Sequence, residues 1–193
     1  MTAMHDTHTA MAALSAVIAG ETFSQFVDAA EFRGGMRGIA APVALATTRG
    51  PDGPAGLTVT SFCSLSANPP RMLVCVNRDS STYPVIADAR VLALNVLASQ
   101  HEALAMRFAS GDAACRGRAR FDEGRWTRLR TGAPVLEDAL VGFDCRAVHV
   151  HEEGTHGIIV GDVVATTGSG ESSPLLYRDG HFVTSTTPAP DGR

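Results

Sequence analysis

Two stretches of this chain gather small polar side chains among apolar ones. The first runs Gly56-Leu57-Thr58-Val59-Thr60-Ser61-Phe62-Cys63-Ser64-Leu65-Ser66 and carries five hydroxyls. Alternate residues of a strand share a face, so such a run can turn a row of hydroxyls towards a ligand or towards solvent. The second stretch, Asn77 to Thr82, lies between an apolar run and a helical pattern. Backbone N–H groups at a helix start, joined by Arg78, Ser80, Ser81 and Thr82, make a donor set for phosphate, and ordinary capping uses the same residue types. His149, His151 and His156 fall close together. His-x-His on a strand can place two imidazoles on one face, but no third ligand has suitable spacing, so no metal site is assigned.

Other chemistry is excluded by composition. All sixteen basic residues are Arg, and the chain contains no Lys. A Walker-type phosphate loop and a Schiff base both need the Lys amine, so neither can be built. The net charge is −4, and the Arg residues from Arg116 to Arg130 are interrupted by Asp122 and Glu123. That stretch reads as a solvated loop face, and nucleic acid is not an expected partner. The four cysteines, Cys63, Cys75, Cys115 and Cys145, form no Cys-x-x-Cys pair. They read as buried free thiols of a cytoplasmic protein. No apolar run reaches the ~20 residues of a membrane-spanning helix. Met11 to Gly20 is apolar, but His5, Asp6 and His8 precede it with no Lys or Arg, which is unlike a secretory leader.

These residues must be positioned by a mostly β chain of 193 residues, 45% hydrophobic and 19% charged. Residues 1–22 read as a poorly ordered or helical extension, 23–187 as one domain, and 188–193 as a tail. A first helix is expected with Thr22 as its cap and Phe23, Phe26, Val27, Ala30, Phe32 and Met36 on its apolar side. Strands are expected at Pro42–Thr48, Gly56–Cys63, Met72–Asn77, Val91–Leu97, Ala139–Val150 and Ile158–Ala165, and a last pair at Leu175–Tyr177 and Phe182–Thr184. Tyr83–Ala89 reads as a helix with Thr82 as cap and Pro84 in its first turn. Ser99 and Glu102 have capping-box spacing for a helix carrying Leu104 and Phe108. Gly111 to Gly132 looks irregular. Most consecutive strands lack a helical crossover, so the pattern favours an antiparallel barrel of six or seven strands with peripheral short helices.

The run TVTSFCSLSANPPRMLVCVNR from Thr58 to Arg78 resembles the signature of the flavin reductase family with the FMN-binding split-barrel fold. The likeness extends from about Phe32 to Phe182 through FRGGM, VALATT, VLALNVLA, Arg107-Phe108, RFDEGRW from Arg120, GAPVLEDALVGFDCR from Gly132, GTHGIIVGDV from Gly154 and PLLYRDGHF from Pro174. The sequence departs from the family pattern at Ala41-Pro42, at Asp79 and at Thr155. The Gly-Thr-His so formed is similar to that of the pyrimidine-utilisation branch.

The resemblance implies a mainly β fold, an antiparallel six-stranded split β-barrel of Greek-key type. It implies that Thr58, Val59, Thr60 and Ser61 contact a flavin ring and ribityl chain, partly through their backbone. Ser64 and Cys75, Val76 and Asn77 would line the same groove, and Ser80, Ser81 and Thr82 would hold the phosphate, with no Rossmann Gly-x-Gly-x-x-Gly present. It places His156, with Tyr177, Arg178, Asp179 and Gly180, at the nicotinamide. The activity implied is hydride transfer from NADH, or NADPH, to FMN or FAD by a homodimer, with the reduced flavin passing to a separate monooxygenase. No acid, base or nucleophile is needed, because the protein's task is to stack two rings and exclude water. Two further readings stay open: a flavoprotein that keeps its flavin and acts on its own substrate, and a non-catalytic ligand-binding barrel.

Overall fold

In the computed structural model, described over residues 26–112, 115–168 and 172–185, the strands run antiparallel at every pairing. They are β1 (Ala41–Pro42), β2 (Ala44–Gly50), β3 (Gly53–Val59), β4 (Phe62–Ala67), β5 (Pro70–Asn77), β6 (Val91–Val96), β7 (Trp126–Arg128), β8 (Pro134–Leu136), β9 (Val141–Glu153), β10 (His156–Thr167), β11 (Leu175–Arg178) and β12 (His181–Thr184). Helices α1 (Ala29–Arg37), α2 (Tyr83–Ala89) and α3 (Glu102–Ala109) accompany them.

Seven strands form one sheet in the order β3-β2-β6-β9-β10-β5-β4. Its two edge strands, β3 and β4, are consecutive in the chain, and only Thr60 and Ser61 separate them. A sheet whose opposite edges are joined by two residues must curl round on itself, and β3 and β4 share no ladder across the seam. The result is a barrel split along one side. The expected single strand Gly56–Cys63 is thus two strands meeting at a corner, which is why the sheet has seven strands rather than six.

Burial explains the near-continuous apolar strands. Ala44 and Ala46 of β2 join Leu92, Leu94, Val74, Val76 and Ile159 in the core, whereas Val43 and Leu45 pack on the other side under Leu104 and Phe108 of α3. Both faces of β2 are covered, so its pattern cannot alternate. Long β9 and β10 pair through two register shifts, between Val160 and Gly161 and between Val163 and Ala165. β10 pairs with β5 through His156–Asp162, and β9 pairs with β6 through Val141–Arg146. At Gly161 the backbones approach so closely that a Cβ would lie 2.9 Å from the Cys145 Cβ.

Three caps differ from expectation. Asp28 Oδ1 accepts the Ala30 and Glu31 N–H groups and starts α1; Thr22 and Phe23, the extension 1–22 and the tail 188–193 lie outside the described residues. Thr82 makes no capping bond to α2; the Ser80 hydroxyl takes the Tyr83 N–H instead. A 3-10 turn, Ser99–His101, precedes α3, and His101 Nδ1 takes the Ala98 N–H, in place of a Ser99–Glu102 box. Of the free cysteines, Cys145 is buried as expected, Cys75 and Cys115 are half-buried, and Cys63 is exposed. Contacts divide the chain into Met1–Met36 and Arg37–Arg193, the barrel lying in the second.

Candidate functional site

A groove of about 470 Å³ opens between β3, the loop from β5 to α2, and the end of α3. Its walls bring together Thr58, Asn77, Ser80 and Ser81, four of the residues expected at a flavin, with Leu57 and Phe108 as apolar surface. Local bonding fixes the polar rim. The Ser80 hydroxyl donates to the Asn77 carbonyl at 2.7 Å, and Asn77 Oδ1 accepts the Asp79 N–H at 2.9 Å. Ser81 makes no hydrogen bond among the described residues, which leaves its hydroxyl for a ligand. The Thr58 hydroxyl donates to the Ala105 carbonyl at 2.6 Å, so it ties β3 to α3 and presents mainly its backbone and methyl.

The remaining expected residues are placed differently. Val59 and Val76 are buried in the core, so only their backbone can reach a ligand. Thr60 and Ser61 are exposed at the β3–β4 corner, where the Cys75 N–H donates to the Ser61 carbonyl, and Ser64 is exposed on β4 opposite Met72. Thr82 is buried beside the groove, not within it. Burial, and secondarily Cys63, pushes the Cys75 thiol up, so it stays neutral.

His156 is exposed and stands in register with Asn77, which brings it to the end of β5 that enters the groove. The Arg78 N–H donates to the Thr155 carbonyl, its guanidinium to the Gly154 carbonyl at 3.1 Å, and it pairs with Glu152 at 2.7 Å. Arg78 therefore clamps the β9–β10 turn instead of standing ready for phosphate. Tyr177 and Arg178 end β11 of the separate sheet β1-β11-β12, and Asp179 and Gly180 form the turn into β12. Asp179 there pairs with Arg37, and among the described residues no hydrogen bond or ion pair joins this turn to His156.

The cationic side of the groove comes from the stretch expected to be a solvated loop. Arg116 lines the groove, and Arg120 is buried. The Arg120 guanidinium donates to the carbonyls of Cys115, Gly56 and Ser110. Burial and the neighbouring Arg116 lower its pKa, yet a guanidinium remains charged. Arg107 holds this loop through the Arg120 and Ala119 carbonyls and through Glu123. Phe108 packs behind it against Phe121 and Trp126, with ring centroids 5.0 and 5.6 Å away. A run of Arg broken by acids gave no sign of burial; the only signal was Arg107-Phe108 upstream, a pair able to anchor a loop by charge and by ring.

The volume lies within the ~300–1,000 Å³ typical of small-molecule sites, and the lining is mainly polar with Leu57 and Phe108 as its larger apolar surfaces. Ser81, Arg116 and Arg120 offer a phosphate a hydroxyl and two positive charges, which offset Asp79 on the same rim. A flavin's flat ring and terminal phosphate fit this donor set.

Barrel and groove together define a split-barrel protein with a polar, partly cationic groove at one end of β5. The flavin reductase like domain model matches residues 36–186, and the chain belongs to that family. It is 46% identical over 156 residues to "FMN reductase (NADH) RutF 2" of Methylorubrum extorquens strain PA1, covering 81% of this chain and 89% of that one. BorF, the flavin reductase component of a bacterial two-component tryptophan halogenase, superposes with a TM-score of 0.74 at 30% identity over 81% of this chain and 98% of its own. The NADH:FAD oxidoreductase SgcE6 of Streptomyces globisporus, solved with NAD and FAD fragments, gives 0.75 at 27% identity over 88% and 99%.

Proposed function

We propose that the protein is an NADH-dependent flavin reductase that reduces FMN or FAD and releases it to a separate flavin-dependent monooxygenase. The observation that carries this reading is the convergence of Thr58, Asn77, Ser80, Ser81 and Arg116 on one groove, with His156 in register beside Asn77. Each turnover consumes NADH, oxidised flavin and a proton and yields NAD⁺ and dihydroflavin. Ser81 and Arg116 hold the phosphate end, the backbone of Thr58 to Ser61 borders the ring, and His156 orients the nicotinamide nucleotide, with the Tyr177–Gly180 turn as its second contact. Arg78 is spent on Glu152 and Gly154, which leaves Arg178 as the one basic residue of this proposed subsite for a 2′-phosphate and favours NADH over NADPH. Free thiols on β4, β5 and β9 suit a reducing cytoplasm, and the exposed apolar side chains of α1 suit a homodimer.

The test is steady-state NADH oxidation by purified protein, followed by its near-ultraviolet absorbance, with FMN, FAD or riboflavin added and with NADPH in parallel. Turnover that depends on added flavin supports the reductase. Silence with every flavin and both nucleotides refutes it, and a yellow protein that turns over NADH poorly points to a flavoprotein with its own substrate. His156→Ala is expected to raise KM for NADH roughly fivefold or more with flavin KM nearly unchanged; the reverse pattern removes its assigned role.

A further inference from the structure

Asp79 lines the same groove as Ser80, Ser81 and Arg116. Asn77 Oδ1 accepts its backbone N–H at 2.9 Å, which fixes the residue in the turn. Its side chain is exposed, and its carboxylate makes no hydrogen bond or ion pair among the described residues. Arg116 and Arg120 balance that charge over the groove as a whole, but their N–H groups are engaged. Arg120 gives Nε and both terminal nitrogens to the carbonyls of Cys115, Gly56 and Ser110. Arg116 gives Nε and one terminal nitrogen to the Gly111 carbonyl, at 3.0 and 2.7 Å. Arg78, the neighbour of Asp79 in the chain, pairs with Glu152 and donates to Gly154. A phosphate arriving here finds the Ser81 hydroxyl and part of one guanidinium as free donors, and an unpaired carboxylate beside them. A carboxylate only accepts hydrogen bonds, and a phosphate monoester carries about −1.5 to −2 charges near pH 7, so the two repel.

We propose that Asp79 sets how long the phosphorylated flavin is held: its carboxylate weakens the grip on the phosphate, so that the flavin leaves after each turnover instead of staying as a bound cofactor. The proposal rests on the flavin reading above and names the residue that governs its release. A reductase that passes dihydroflavin to another protein needs a site that orients the ring and lets the phosphate go, since release then limits turnover. Asp79 is a departure from the family pattern, so the property belongs to this chain and not to the fold. The repulsion acts at a solvent-exposed rim, and salt therefore screens it.

The experiment measures Kd and dissociation rate for FMN and for riboflavin, which has no phosphate, by flavin fluorescence in the full-length protein and in Asp79→Asn, Asp79→Glu and Arg116→Ala. At low salt Asp79→Asn is expected to tighten FMN about three- to tenfold, mainly through slower dissociation, and to leave riboflavin within about twofold, which also reports that the site is intact. The gain is expected to shrink at high salt. Asp79→Glu keeps the charge and is expected to bind FMN as the parent does. FMN affinity unchanged or weakened in Asp79→Asn overturns the proposal, as does a gain that riboflavin shares or one confined to the association rate. If Arg116→Ala still weakens FMN and spares riboflavin, such a result leaves the flavin reading standing. Arg116→Ala without effect on either flavin removes the phosphate end from this groove, and the proposal with it. Binding of neither flavin by the parent protein overturns both.

Discussion

Gly157, next to His156, has no side chain because Tyr83 occupies its place. A Cβ there would lie 2.1 Å from Tyr83 Cε2 and 2.9 Å from its hydroxyl oxygen. Tyr83 is buried, and its hydroxyl donates to Glu152 Oε1 at 3.2 Å. Burial and the Glu152 carboxylate raise its pKa, which keeps the phenol a neutral donor. Glu152 in turn pairs with Arg78. One ring therefore ties α2 to the turn that carries His156. Gly157→Ala must push that ring aside, because β10 is held on both sides by β9 and β5. The expected loss is about 1–3 kcal/mol, read from urea unfolding. In a Tyr83→Leu background the same change should cost clearly less, and an equal cost in both backgrounds would show that the ring is not the obstacle.

Elements are joined by buried polar side chains that the sequence pattern hid. The segment bearing β8 is pinned to the outside of the barrel by three residues. Thr47 donates to the Pro134 carbonyl at 2.6 Å, Asn95 Oδ1 accepts the Leu136 N–H at 2.8 Å, and Asp144 accepts the Thr131 N–H at 2.8 Å and its hydroxyl. Asp144→Ala leaves both Thr131 donors without their acceptor, for an expected loss of about 1–3 kcal/mol in the same unfolding measurement; a variant as stable as the parent would show that water replaces the carboxylate freely. Asp162 on β10 joins β5 and β9 through Arg71 at 2.7 Å and Arg146 at 3.4 Å. The Arg71 hydrogen bond is the main cause that holds its carboxyl below the ordinary value. A depressed folded pKa contributes stability that is present above the unfolded value of about 3.9 and is lost as pH falls through the folded one. Below about pH 4, Asp162→Asn should therefore lose stability less steeply than the parent; parallel acid limbs would refute the link. Legibility follows the same division. The bounds of α2 stand at Tyr83–Ala89 in sequence and in structure, because a proline start and flanking strands mark it locally. The β3–β4 corner was invisible, since hydroxyl and apolar residues run on through Thr60 and Ser61, and only closure of the sheet bends the chain there. Thr58, Asn77, Ser80 and Ser81 could be nominated from two neighbouring stretches. Arg120 could not, because its burial depends on carbonyls supplied by Gly56, Ser110 and Cys115, and neither could exposed Arg116, which is held to the groove by the Gly111 carbonyl.

At the scale of the whole molecule, α1 has helix geometry and nothing buried. It is nine residues long, shorter than the ~12–15 at which an isolated helix is even marginal in water. Phe32 and Met36, four residues apart and hence on one face, are 59% and 49% exposed, and Phe26, Val27 and Ile39 beside them are exposed as well. The Asp28 cap and an acidic first turn supply only a part of what such a helix lacks. The homodimer proposed above would give this apolar stripe a partner surface, since a second copy brings an identical one and a two-fold contact would bury both at once. Sedimentation at micromolar protein is expected to give about twice the 20.2 kDa chain mass. Phe32→Glu with Met36→Glu is expected to shift the population to the single-chain mass, with the barrel still folded by circular dichroism, because neither side chain contributes to its core. A parent protein that sediments as one chain at those concentrations would remove the dimer from the proposal. A dimer indifferent to both substitutions would move the contact from α1 to another face.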